Sequence, residues 1–276
     1  MSNLKSLGTN TTYRDKYDPS QLEGFPREVR RRGKLAPMNG ADIWTAFEVS
    51  FLLPRGLPCY LVLRIFNSAD SKNIFESKSL KLYLNSFNNT VLASKDLLVR
   101  TIERDLTLVA GGRVLVEEVK VFTENTLYKN SRNLEEFLGQ IEISEYDYNS
   151  GLLKTKPSKE DRLVPVELHS DLLRSNCEIT NQPDWGRIYI KYIPGKVEVT
   201  YESLLRYIVS IRTHQAFHEP TVESIYNDLF RILEPKKLLV LGQYTRRGGI
   251  DINPCRYTHK DLLPIDLLCL PKLIQQ

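Results

Sequence analysis

Cys177 lies in Ser175-Asn176-Cys177-Glu178-Ile179-Thr180-Asn181-Gln182-Pro183-Asp184-Trp185-Gly186, with Asp184 just past a Gln-Pro turn. A cysteine alone in a strand is usually a small buried hydrophobe. An acid folded back toward the thiol changes that reading, because a nucleophilic cysteine needs a neighbour to move its proton. Phe217-His218-Glu219-Pro220 stands at the mouth of a helical stretch. There Glu219 either complements the helix dipole or builds a polar pocket with His218. Glu76-Ser77-Lys78-Ser79-Leu80-Lys81 reads either as a solvated face behind a capping serine or as an anion site of free backbone N–H groups, hydroxyls and lysines. In Tyr244-Thr245-Arg246-Arg247-Gly248-Gly249, paired arginines beside glycines can bring guanidinium groups and bare backbone to a phosphate. Surface loops use that motif freely. The residues imply thiol chemistry on a small anionic or nucleotide-like ligand and name no reaction.

Other chemistries lack their motifs. The chain has no G-x-G-x-x-G, no G-x-x-x-x-G-K-[ST], no H-E-x-x-H and no G-x-S-x-G. The histidines at 169, 214, 218 and 259 have no metal-ligand spacing, so no metal is expected. The cysteines at 59, 177, 255 and 269 form no C-x-x-C pair, against both a disulfide framework and a zinc finger. A net charge of +4 over 276 residues is too small for a nucleic-acid coat. No apolar run approaches the ~18 residues of a membrane span, and Met1-Ser2-Asn3-Leu4-Lys5-Ser6 carries no apolar leader. Hydrophobic residues at 41% and charged residues at 26% describe a globular chain, expected to be cytoplasmic.

The elements that must position these residues are read twice along the chain. Ile43–Leu53 and Cys59–Phe66 read as strands, Ser77–Phe87 and Ser94–Val109 as helices, and Arg113–Phe122 and Gly139–Ser144 as strands. The second round runs through strands Ser175–Gln182 and Arg187–Ile193, helices Tyr201–Arg212 and Thr221–Leu233, and strands Lys236–Tyr244 and Gly249–Asn253. Val99, Ile102, Asp105 and Leu106 precede Val222, Ile225, Asp228 and Leu229 by a constant 222 − 99 = 123 positions. Glu76-Ser77 has its echo in Glu202-Ser203. The expectation is α+β: two tandem ββααββ modules with antiparallel sheets, at residues 41–145 and 166–276, after an irregular arm at 1–40 and around a linker at 146–165.

The motifs resemble those of the 7-cyano-7-deazaguanine reductases, the NADPH-dependent nitrile reductases of queuosine biosynthesis. The family's E-[SL]-K-[SA]-x-K-[LY]-[YFW] is matched at every position by Glu76-Ser77-Lys78-Ser79-Leu80-Lys81-Leu82-Tyr83. Its cysteine followed by Q-P-D is met by Cys177 and Gln182-Pro183-Asp184, its F-H-E by Phe217–Glu219, and its Y-T-R-R-G-G-x-D-I-N-P by Tyr244–Pro254. Tyr17-Asp18-Pro19-Ser20 and Gly40-Ala41-Asp42-Ile43-Trp44 extend the likeness over nearly the whole chain.

The resemblance implies a tunnelling fold with two modules per chain, assembled as a homodimer with no direct nucleic-acid or membrane partner. It implies that Cys177 is the nucleophile and Asp184 the proton donor. Glu76, Ser77, Lys78, His218 and Glu219 would bind the deazaguanine, and Lys78, Ser79, Arg247 and Gly248 would bind NADPH, with Lys81 and Arg246 beside them. The reaction would be a four-electron reduction of the nitrile to the primary amine through a cysteine thioimide, consuming two NADPH. Glu178 departs from the apolar residue of the pattern, and strand alternation would point it away from Cys177. The alternatives are a cyclohydrolase-like enzyme of the same fold on a pterin or purine, and a nucleotide- or RNA-binding module using Arg30–Arg32 and Arg246–Arg247.

Overall fold

The computed structural model describes residues 13–31, 35–120, 127–159, 163–263, 270, 271, 273 and 276. It divides into two compact units: Met1–Arg32, Ala41–Val121 and Arg246–Ile252 form the first, and Gly33–Gly40, Phe122–Thr245 and Asn253–Gln276 the second. Arg32, Gly33, Cys269 and the end of the expected strand Arg113–Phe122 lie outside the described residues.

In the first unit, β1 (Asn39–Leu53) pairs antiparallel with β2 (Leu57–Ser68), and β3 (Val114–Glu118) pairs with the other edge of β2. Between β2 and β3 run α1 (Ser77–Asn85) and α2 (Lys95–Ala110). α2 is a helix for legible reasons. The Ser94 hydroxyl accepts from the Leu97 N–H at 3.2 Å, and Leu98, Ile102 and Leu106 recur every four residues as one stripe. That stripe is fully buried against Phe51, Leu63 and Ile65, so each of its side chains contributes roughly 1.5–3 kcal/mol.

The second unit has the complete ββααββ order. β4 (Val166–Asn176) and β5 (Pro183–Ile193) form a hairpin, α3 (Tyr201–Ser210) and α4 (His218–Leu233) follow, and β6 (Lys237–Tyr244) and β7 (Ile250–Tyr257) close the sheet in the order β7-β6-β5-β4. Its core joins Leu168, Ile188 and Ile190 of the hairpin to Leu204, Ile208, Val222, Ile225 and Leu229 of the helices.

The fold class is therefore α+β with antiparallel sheets in two units of one plan. Three readings need correction. Gly139–Ser144 is no strand: Leu134–Gln140 is a 3-10 helix with irregular chain after it, so the expected sixth strand of the first module is absent among the described residues, which add instead a short pair, Gly24–Pro26 with Asn73–Phe75. Ser175–Gln182 is a strand only to Asn176; Cys177–Gln182 is a turn, so alternation says nothing about Glu178. α4 starts at His218, before Thr221, because Pro220 sits comfortably in a first turn.

The repeat is deeper than the hydrophobic pattern. Residues 13–31, expected to be irregular, and 146–154, expected in a linker, dock onto the helix pairs in the same way. Asp18 caps the 3-10 turn Pro19–Gln21, and Asn149 caps the 3-10 turn Ser150–Leu152. The Asp18 N–H donates to Ser86 Oγ at 3.1 Å, and the Asn149 N–H to Ser210 Oγ at 3.3 Å. The Glu23 N–H donates to Ser79 Oγ, and the Lys154 N–H to Ser203 Oγ, both at 3.0 Å. Beneath each strap lies a buried acid. The Tyr17 and Tyr83 hydroxyls both donate to Asp105 at 2.7 Å; Tyr148 and Tyr207 both donate to Asp228, the latter at 2.8 Å. Burial, with the carboxylate added to it, raises the pKa of all four phenols and keeps them as donors.

Candidate active site

The β4–β5 register explains the seven-residue interval between Cys177 and Asp184. Ser175 is the Cα partner of Asp184 and Asn176 of Pro183, and the Cys177 N–H donates to Gln182 O at 2.8 Å. That bond continues the pairing one step past the ladder, so the turn brings the Cys177 backbone back beside the start of the strand that carries Asp184. The intervening turn is tight. Asn181, at φ 55°, takes the left-handed conformation and donates its N–H to Cys177 O at 3.0 Å; asparagine tolerates that region. Cys177 is half-buried and Asp184 is 5% exposed.

The first turn of α4 brings His218 Nε2 to 3.4 Å from Asp184 Oδ1. The His218 ring lies flat on Tyr244 of β6, with centroids 3.8 Å apart and planes at 6°. Gly186, opposite Tyr244 in the β5–β6 ladder, makes room for that ring: a Cβ there would stand 2.8 Å from Gln243 O and 3.1 Å from the Tyr244 ring. Around Asp184, Ser175 Oγ, His218 Nδ1 and Tyr244 Oη are buried with no hydrogen-bond partner among the described residues. A buried polar atom without a partner costs about 1–3 kcal/mol, so such a concentration suits a polar ligand. Glu219 is 2% exposed in the same first turn. Its neighbourhood is thus a buried polar one, which goes beyond helix capping. Burial, with the nearby Asp184 and Glu219 charges, raises the Tyr244 pKa and keeps its hydroxyl protonated.

The first unit holds the other candidates. Glu76 is the N-cap of α1: its carboxylate accepts from the N–H groups of Lys78 at 3.0 Å and Ser79 at 2.6 Å. This corrects two readings. The cap is not a serine, and those N–H groups are not open to an outside anion, because the chain's own carboxylate fills the place. Ser79 is fully buried, its hydroxyl donates to Glu76 O at 2.8 Å and accepts from Glu23, and Ser203 repeats both bonds in the unit without the signature. Ser77 is exposed, and Lys78 and Lys81 are half-buried. Arg246, Arg247 and Gly248 are exposed in a turn beside Lys81, whose Nζ would lie 3.0 Å from a Cβ built on Gly248. The sequence reading missed Tyr244 and Ser175 as site residues, along with Phe47 and Glu48 at the arginine turn. Among the described residues no three of His, Cys, Asp and Glu come together as a metal site, and no helix is long and apolar enough to cross a membrane.

Two units of one antiparallel α+β plan, with a cysteine and an acid juxtaposed in the second, define a two-module protein with the groups for thiol chemistry. Sequence comparison gives the family. Residues 13–118 match the family described as "Nitrile reductase, 7-cyano-7-deazaguanine-reductase N-term", and residues 183–262 match "QueF-like protein". The chain belongs to this QueF family of nitrile reductases. Among solved structures, a crystal structure of the archaeosine synthase QueF-Like in the apo form is 18% identical, covering 36% of this chain and 96% of that one, with a TM-score of 0.32.

Proposed function

We propose that this chain reduces 7-cyano-7-deazaguanine to 7-aminomethyl-7-deazaguanine through a covalent thioimide on Cys177. The observation that supports the reading is the hairpin turn that folds Cys177 back beside the strand carrying Asp184, with His218 against Asp184. The thiol sulfur adds to the nitrile carbon, and its proton passes by way of Asp184 to the nitrile nitrogen, giving a neutral thioimide. That carbon is a better electrophile than the nitrile it replaces. After the first two-electron reduction the C–S bond breaks, the thiolate returns to Cys177 and an imine remains. The second two-electron reduction gives the amine. NADPH supplies one hydride to each reduction.

The residues fit their partners. Glu219 and Glu76 are carboxylates suited to a guanine-like edge, whose ring N–H and amine they can accept, and a site built for those donors rejects analogues lacking them. His218, held flat by Tyr244, keeps Asp184 oriented and offers Nδ1 as a free hydrogen-bonding group. Burial of Asp184 and His218 keeps water from the imine. Lys78, Lys81, Arg246, Arg247 and the Gly248 backbone would hold the cofactor's phosphates, guanidinium groups being matched to phosphate geometry.

Intact-mass measurement on the protein mixed with the nitrile alone tests the reading. The native chain is expected to gain the full mass of the nitrile, and Cys177→Ala to gain none. A full adduct on Cys177→Ala overturns it. So does one NADPH oxidised per amine formed, against the expected two.

A further inference from the structure

We propose that a β-bulge at Phe47 and Glu48 is the seat of the arginine turn, and that these are positioning residues for the phosphate-bearing cofactor. This rests on the function proposed above and extends it to residues outside every motif discussed so far. In the β1–β2 ladder Ala46 faces Leu63 and Val49 faces Leu61, so Phe47 and Glu48 together oppose Val62. Two residues against one is a bulge. In a regular strand these neighbours would point to opposite faces; here both address the same turn.

The turn has the geometry of a two-residue hairpin. Arg247 and Ile250 exchange backbone hydrogen bonds at 2.9 and 3.0 Å across Gly248 at φ 56° and Gly249 at φ 79°. Positive φ at both central positions calls for glycine. The Phe47 N–H donates to Gly249 O at 2.9 Å, tying the bulge to the turn. The Arg246 guanidinium lies 4.8 Å from the centroid of the Phe47 ring, which is 6% exposed. The Glu48 carboxylate packs on Gly249: a Cβ there would stand 2.6 Å from Oε2 and 2.8 Å from Oε1. On the other side a Cβ on Gly248 would meet Lys81. The turn is thus held between an acid and a lysine, with its first arginine laid on an aromatic ring.

This arrangement fixes cations that would otherwise spread apart by mutual repulsion. Phe47 sets the plane of Arg246, and Glu48 offsets the charge of Lys81 and the arginine pair while holding the turn in place. Holding donors ready in advance spares the bound state the cost of ordering them.

Equilibrium titration with NADPH, followed by its fluorescence, tests the proposal beside adduct formation with the nitrile, which needs no cofactor. Phe47→Ala and Glu48→Gln are each expected to weaken NADPH binding about fivefold, the size of a partly buried cation–π contact, with adduct yield as in the native chain. Phe47→Tyr, which keeps the ring, is expected to bind NADPH within about twofold of native. Native-like NADPH affinity in Phe47→Ala overturns the seat, as does tighter binding in Glu48→Gln, the result of simply deleting a repelling charge. Loss of adduct formation in step with NADPH binding reduces the bulge to a folding element and also overturns it. A native chain that binds NADPH yet forms no adduct refutes the proposed reaction and leaves this inference standing; a native chain that binds no NADPH refutes the inference.

Discussion

The two units share a strap, paired serine anchors and a Tyr-Tyr-Asp cluster, and they part company at the helix starts and the first hairpin. The residue before α2 is Ser94, whose hydroxyl caps it; the residue before α4 is Phe217, which stands 217 − 94 = 123 positions on and offers no side-chain cap. The residues that follow Phe217 are the buried His218 and Glu219. The other helix pair differs in the same sense: Glu76 caps α1, whereas Thr200, 200 − 76 = 124 positions on, makes no side-chain cap bond to α3. The first hairpin of unit one closes through Pro54–Gly56, and that of unit two through the longer turn Cys177–Gln182. Duplication kept what holds the helices to their strap and varied the chain ends, where a lost cap costs only about 1 kcal/mol. Chemistry is cheapest to place there.

The largest expected effect separates the two hairpins. Cys177→Ala should bring turnover below detection, whereas Arg55→Gly in the other hairpin should leave it unchanged. Arg55 sits at φ 70°, so glycine there should raise stability by about 0.5–1 kcal/mol, read by urea unfolding. A loss of turnover in Arg55→Gly would break the contrast. Next come the shared acids. Asp105→Ala strands the buried Tyr83 hydroxyl and Asp228→Ala the buried Tyr207 hydroxyl, and each should cost about 3 kcal/mol. Costs that differ by more than ~1 kcal/mol would show that the clusters are alike in geometry and unlike in strength.

A smaller pair probes the caps. Ser94→Ala should cost about 1 kcal/mol with turnover intact. Glu76→Gln, which keeps an acceptor, should cost less stability than Ser94→Ala and yet raise the KM for the nitrile. Equal turnover in both would remove Glu76 from the substrate site. The smallest effect is a pH dependence confined to unit two. Burial, with the Arg187 charge behind it, lowers the His169 pKa. The unfolded chain then binds the proton more readily, so the stability His169 contributes is present above its ordinary pKa near 6.5 and is lost as pH falls toward the depressed value. The protection factors of the Leu168–Ser170 amides, exchange rates referred to the unfolded chain at the same pH, should fall on acidification, and His169→Gln should flatten that response.

Much of the second unit's site was legible because it depends on local order. A cysteine and an acid across a turn fold back on each other by hairpin geometry, and His218-Glu219 before an apolar stripe must open a helix. The constant offset joining Asp105 to Asp228 marked the repeat, and both prove to be the acids beneath the straps. The straps themselves were not legible. They are short and polar, and backbone N–H groups meeting distant serines leave no periodic trace. That Glu76 rather than a serine caps α1 was hidden as well, because spacing cannot say which side chain turns back to the free N–H groups. The bulge was hidden for a related reason: buried residues on both faces of β1, from Ile43 to Phe47, blur the alternation that would have revealed the slip.

The segment Arg246–Ile252 has a consequence for how this chain can be divided. It lies late in the sequence, yet it packs into the first unit, while residues 35–40, early in the sequence, pack into the second. Each unit has therefore lent a piece of chain to the other. No single scissile point yields two whole halves: a fragment ending before residue 245 would keep the Phe47–Glu48 seat and lose the arginines that rest on it. The modules are copies in architecture and hostages in heredity, so a recombination event that swaps one half must bring compatible borrowed segments or forfeit the turn.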